Sequence, residues 1–316
     1  IIKEAAYVIQ ILITVLAYIF NFVLIYIAQT CTRREIGSYR ILILYFAISD
    51  IYYNTMHFVV YPIPEMYGNT FLMSGHGIYT ELFGVALYCG AYGHAFPILI
   101  FHFIYRLLAI KYTCHLNYFK QFIFALILVT LAHNALWFSV FYWFFHPDKE
   151  SLHLLTPLFN GSIDLPVVHN IDTAPMHAQA LYWTGRTFEG PRYRNLIGTS
   201  LICLSMIYSY LIIIICSFLI NKFLQERMKS VQSVRLQKQL FRSLIYQSFV
   251  PLFTAYLPAA TCQFLPVFGL TFIAISVFCP FACATHPLVD PLLLIFTITE
   301  YRRAFLDLIG LTKVVK

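Results

Sequence analysis

Seven runs of 21–28 mostly apolar residues divide this chain, and they constrain its fold more than any other feature. They cover residues 6–28, 41–61, 78–105, 122–145, 196–220, 243–265 and 270–297. About 20 such residues span a bilayer as a helix. Strands of a membrane barrel would be about 10 residues long and would alternate polar with apolar, and these runs do neither. The runs therefore predict an all-α membrane protein, a bundle of seven transmembrane helices. Composition agrees: 60% of the 316 residues are hydrophobic and only 11% are charged, too few to coat a soluble domain. The apolar core of the first run is too long for a signal peptide and is broken by Asn21, so it reads as a span. The chain opens at Ile1 rather than Met, five residues before that span, which suggests that the natural N-terminus is longer.

The charges set an orientation. Of 21 Lys and Arg residues, 16 fall in the connections after spans 1, 3 and 5 and in the 298–316 tail. Basic residues concentrate in loops that stay in the cytoplasm. The N-terminus is then outside and the tail inside, opening with a short amphipathic helix after span 7. The net charge of +7 is thus a topology signal rather than a nucleic-acid footprint, and the partner it implies is the lipid bilayer. The connection 146–195 becomes a long extracellular loop. It holds the sequon Asn160-Gly161-Ser162, which makes Asn160 a glycosylation candidate. The basic connection 221–242 reads either as a topology determinant or as a docking surface for a cytoplasmic partner.

Ionisable residues inside a bilayer are costly and mark function by default. Asp50 lies mid-span 2, and Asp290 lies in span 7 within His286-Pro287-Leu288-Val289-Asp290-Pro291. If spans 1, 2 and 7 are neighbours, Asn21, Asp50 and Asp290 share one polar cluster, with His286 and Pro291 beside it. Two adjacent carboxylates would not both ionise readily. The cluster reads either as a packing network or as a conformational switch. Gly84, Gly90 and Gly93 in span 3 suit close helix packing. Glu81, at the outer end of that span, faces either water or a pocket.

No catalytic motif, metal-ligand spacing or phosphate loop is present, so neither an enzyme nor a cofactor is expected. None of the eight cysteines lies in the long extracellular loop, so no stapled outer surface is expected. Most read as buried thiols, with Cys31 and Cys114 as candidates for palmitoylation on the cytoplasmic side.

Several stretches carry a resemblance. Phe101-His102-Phe103-Ile104-Tyr105-Arg106 ends span 3, and Asp290-Pro291-Leu292-Leu293-Leu294 lies near the end of span 7. These resemble the Asp-Arg-Tyr and Asn/Asp-Pro-x-x-Tyr sites of rhodopsin-like receptors, with the Arg, Asp and Pro kept and the final Tyr replaced by Leu294. Also present are Gly37-Ser38-Tyr39-Arg40, Leu108-Ala109-Ile110, His146-Pro147-Asp148, Leu236-Gln237-Lys238-Gln239-Leu240-Phe241 and Glu300-Tyr301-Arg302-Arg303. In this order they resemble the nematode seven-transmembrane chemoreceptors of the str class over nearly the whole chain. The resemblance implies a G-protein-coupled receptor in the plasma membrane of sensory-neuron cilia. It would bind a small odorant or other chemical cue and activate a heterotrimeric G protein.

On that basis, the ligand candidates are Glu81, Tyr88, Cys89, Tyr92, Tyr256 and Gln263, although the tyrosines equally suit ordinary packing. Tyr105, Arg106 and Lys238 are the coupling candidates. Asn21, Asp50, His286, Asp290 and Pro291 form the switch candidate. An odorant-gated channel is the alternative, opposed by the orientation. A transporter is opposed by the absence of internal repeats.

Overall fold

The computed structural model describes residues 2–30, 39–111, 119–153, 177–184, 188–226 and 231–311. Asn160, Cys31, Cys114 and the stretch Gly37-Ser38 lie outside these residues.

The chain is a helical bundle. Its helices are α1 (Ile2–Thr30), α2 (Tyr39–Val60), α3 (Leu82–Gly93), α4 (Ala95–Lys111), α5 (Phe119–Ser139), α6 (Tyr193–Glu226), α7 (Val231–Pro251), α8 (Leu257–Phe264), α9 (Ile273–Thr297) and α10 (Thr299–Leu308). Among the described residues, six helical stretches are long and apolar enough to cross a membrane. Helix α2 is the polar exception. It turns Ser49, Asp50, Asn54 and His57 into the bundle, while Ile48 and Phe58 face outward. Exposed Leu, Ile and Phe side chains cover the outer faces of α1, α5 and α6, the reverse of a soluble protein and the surface that lipid solvates.

Prolines shape the central helices. Pro97 has no N–H to give the carbonyl four residues back, and span 3 breaks at His94 into α3 and α4. Span 6 runs from α7 through a π-helical turn, Leu252–Tyr256, into α8. The turn ends just before Pro258, where an α-helical hydrogen bond is lost in any case. Spans 6 and 7 are joined by a 3-10 turn, Leu265–Phe268, closed by Gly269 at φ 70°. Gly93 lets α3 approach α5 closely, since a Cβ there would lie 2.4 Å from the Trp137 ring.

A three-stranded antiparallel sheet is the feature that the sequence reading does not foresee. Its strands are β1 (Pro62–Tyr67), β2 (Thr70–Gly75) and β3 (Ala178–Leu181), ordered β1-β2-β3. Pro62 pairs with Gly75, and Thr70 with both Tyr67 and Leu181. Gly68, at φ 54°, opens the two-residue hairpin turn, where a positive φ matches the twist of the strands. The sheet is tied to the bundle. Tyr182 Oη donates to the Gln263 carbonyl at 2.8 Å, Trp183 Nε1 to the Val267 carbonyl at 2.7 Å, and Asn195 Nδ2 to the Leu181 carbonyl at 2.7 Å.

At the opposite end, α10 follows α9 after the single residue Ile298. It buries Tyr301 and exposes Arg302 and Arg303. Gln239 Nε2 on α7 donates to Thr299 Oγ1 at 2.8 Å, linking span 6 to the start of this helix.

Candidate functional site

Below the sheet lies a cavity. Pro62, Pro64, Phe71 and Met73 of the sheet close its upper side. Tyr88, Cys89 and Tyr92 of α3 form one wall, one helical turn apart on a single face. Ala259, Ala260 and Gln263 of α8 and Cys279, Pro280 and Cys283 of α9 form others. The lining is aromatic and weakly polar, with no charged side chain, which suits a small uncharged guest.

Of the ligand candidates, Tyr88, Cys89, Tyr92 and Gln263 line this cavity. Glu81 does not. It stands exposed just before α3, because its carbonyl opens the helix while its side chain points to solvent. Tyr256 belongs deeper, in a second, smaller chamber lined also by Ser49, Asp50, Tyr53, Ala91, Tyr92, Ala95 and His286. The π-helical turn carries it there. Its ring lies 4.5 Å from that of Phe96 and 5.4 Å from that of Tyr92. Tyr92 is common to both chambers.

The second chamber opens on the polar cluster. One ligand atom from each of Asp50, His286 and Asp290 lies within 4.8 Å of the others. His286 Nε2 is 3.5 Å from Asp290 Oδ2 and 3.2 Å from Tyr256 Oη. Asp50 Oδ2, Asp290 Oδ1 and His286 Nδ1 find no hydrogen-bond partner among the described residues. Two carboxylates and an imidazole in an apolar interior can share a proton or hold a cation.

Asn21 joins this cluster through the backbone rather than through the carboxylates. Its Nδ2 donates to the Pro287 carbonyl at 2.7 Å and to the Ala17 carbonyl at 2.9 Å. The Pro287 carbonyl is the one that Pro291, lacking an N–H, leaves without an intrahelical donor. Pro287 in turn frees the Cys283 carbonyl, and Tyr53 Oη donates to it at 3.2 Å while meeting Tyr88 Oη at 3.0 Å. Tyr53 was missed in the sequence. Its signal is the four-residue step back from each proline, which names the carbonyl but not the donor.

Arg106 sits at the basic end of α4, only 2% exposed. Its guanidinium lies 3.7 Å from the centre of the Tyr39 ring, and its Nη1 donates to Gln237 Oε1 at 2.9 Å. Tyr39 also stacks on Tyr105 and meets His102 Nδ1 at 3.0 Å. A buried cation held by an aromatic face and a neutral amide is tied to α7 by a bond without a charged partner. Lys238, next to Gln237, is exposed on α7.

The comparisons agree with this architecture. Residues 6–306 match the family described as Serpentine type 7TM GPCR chemoreceptor Str. The chain is 26% identical to Serpentine receptor class r-10 of Caenorhabditis elegans over 303 residues, covering 92% of this chain and 87% of the relative. It is 25% identical to the Caenorhabditis briggsae protein of the same name over 307 residues, with shares of 93% and 87%. It is 22% identical to G-protein coupled receptor str-33 of C. elegans over 309 residues, with shares of 92% and 87%. These are receptors rather than enzymes, and a match across residues 6–306 makes this chain a multi-pass membrane protein of the Str family of seven-transmembrane G-protein-coupled chemoreceptors.

Proposed function

We propose that the chain is a chemosensory receptor of sensory-neuron cilia, which takes a small, weakly polar environmental molecule into the cavity beneath the sheet. The observation that carries this reading is the cavity itself. It is concave and mostly apolar, it carries no charge, and Tyr88, Cys89, Tyr92 and Gln263 reach it from helices that continue to the opposite end of the bundle. The sheet end faces outward, as the basic residues of the other end require, and Asn160 is a glycosylation site on that side.

Binding acts by population shift. The ligand favours a state in which the basic end of α7 moves away from α4, and it can do so only by its differential affinity for the two states. Arg106, Tyr105 and Lys238 then present the coupling surface to a heterotrimeric G protein. The Arg106–Gln237 hydrogen bond breaks in that step. The cluster of Asn21, Asp50, His286, Asp290 and Pro291 is the switch between the two ends.

The test is a panel of volatile and water-soluble small molecules read by nucleotide exchange on a G protein in reconstituted membranes. An agonist from the panel loses potency when Tyr88 or Tyr92 is changed to Ala. An unchanged dose response in both variants overturns the cavity assignment, and failure of every tested G protein to respond overturns the coupling.

A further inference from the structure

Three of the eight cysteines of the chain meet at the cavity, and they come from two different spans. Cys89, Cys279 and Cys283 line it. Cys262, on span 6, is buried and lies outside this lining. The sulfurs of Cys279 and Cys283 are 3.9 Å apart, on successive turns of α9. Met73 and Met206 bring thioether sulfurs to the same lining, which includes no histidine and no carboxylate. As small hydrophobes, thiols need no such convergence. As ligands, thiols and thioethers with no imidazole or carboxylate to compete form a soft set, of the kind that selects a cuprous ion.

We propose that the cavity holds one soft monovalent metal ion, Cu(I) or its redox-inert equivalent Ag(I), between Cys279 and Cys283, with Cys89 on another wall of the same cavity.

Geometry and charge both favour this class of ion. Metal–thiolate bonds run about 2.3 Å, so two sulfurs 3.9 Å apart can share one ion without movement of α9. Binding displaces a proton from one thiol, and the resulting thiolate with a monovalent cation is neutral, as an apolar chamber requires. A divalent zinc ion needs two thiolates and a closed set of four strong ligands, and the thioethers here are not among them. An ion held by two sulfurs keeps a coordination position toward the cavity, so the guest would carry a soft donor such as a thiol or thioether. The inference rests on the ligand reading for this role only, because ion binding is measured without any signalling step.

The test uses the full-length receptor in nanodiscs. Cu(I), made from copper sulfate with ascorbate without oxygen, is partitioned against bicinchoninate. One equivalent is retained per chain, silver nitrate displaces it, and zinc sulfate does not. X-ray absorption of the copper-loaded wild type shows sulfur alone in the first shell. Nitrogen or oxygen there would move the ion to other residues and overturn the proposal. In a Cys279→Ala/Cys283→Ala variant, affinity falls about 100-fold or more, at or above the range for loss of a mere supporting contact. Cys216→Ala, outside the cavity, leaves affinity unchanged. Failure to retain copper, or undiminished retention by the double variant, overturns the proposal. A receptor that retains copper and activates no G protein fails the proposed function while this inference stands; one that activates its G protein and retains no copper fails this inference alone.

Discussion

The side-chain amide of Asn21 donates to the carbonyl of Pro287 at 2.7 Å, across the interface of spans 1 and 7. That carbonyl is unpaired within α9 because Pro291, four residues on, has no N–H. The polar residue of span 1 and the proline of span 7 are therefore one device, in which the gap made by the second is filled by the first. Asn21→Ala should lower the thermal stability of the detergent-solubilised receptor by about 1–3 kcal/mol, the cost of a buried unsatisfied group. In a Pro291→Ala background, where the helix can supply its own donor, the same change should cost clearly less. Equal costs in both backgrounds would refute the coupling.

Gly93 gives the packing counterpart. A Cβ would stand 2.4 Å from the Trp137 ring, which is fixed by hydrogen bonds from Nε1 to His133 and Ser205 at 3.1 Å each. Gly93→Ala should therefore destabilise by about 1–3 kcal/mol through overpacking. A melting curve of the purified protein reads the loss. Gly68→Ala meets no neighbouring atom and tests the backbone alone, since its φ is 54°.

Arg106→Ala should leave surface expression near wild type and abolish G-protein activation. Gln237→Ala removes only the hydrogen bond that ties Arg106 to α7, and should raise activity in the absence of ligand. Flow cytometry of a tagged receptor separates expression from signalling. Normal activation by Arg106→Ala would end its assignment to coupling.

Filling the cavity from the span 6 side, with Ala260→Phe, should abolish ligand response while retaining the fold. The added ring enters space bounded by Tyr92 and Cys283. Radioligand or fluorescence binding distinguishes this from a signalling defect.

The sheet has its own pH dependence. Burial, with His76 nearby, holds His177 down to about 4, below its ordinary value of 6.5. The unfolded segment then binds more protons than the folded one between these values, so the packing of β3 is fully stable above pH 6.5 and weakens as pH falls toward 4. The protection of the Ala178–Leu181 amides against hydrogen exchange, taken relative to the intrinsic rate at each pH, should fall on acidification. His177→Asn should flatten that dependence.

The helices were legible because lipid imposes a long, mostly apolar run on each of them, and the nearness of Asp50 and Asp290 was expected on the condition that spans 2 and 7 are neighbours, which the structure meets. The sheet was not. Two of the six residues of β1 are proline, which reads as a loop and is tolerated only because β1 is an edge strand. Its completing strand lies more than 100 residues further along the chain. His286 was expected beside the cluster because it shares the His286-Pro287-Leu288-Val289-Asp290-Pro291 stretch with Asp290. Tyr256 was misplaced because it ends a π-helical turn, which rotates it relative to an ideal helix, and no periodicity in the sequence announces one. Glu81 was misplaced because a charge at the end of an apolar run can belong to either solvent.

Tyr92 is a partition one ring thick. On one side is the cavity beneath the sheet; on the other, the chamber of Asp50 and His286. The ring is held edge-on by Tyr256, and Trp137 and Tyr53 lie close beside it. A shift of this ring changes the shape of both chambers at once. A guest that presses on this ring need not touch the acidic residues to be felt by them, because the room left for their proton, ion or water becomes a gauge of whether the upper compartment is occupied.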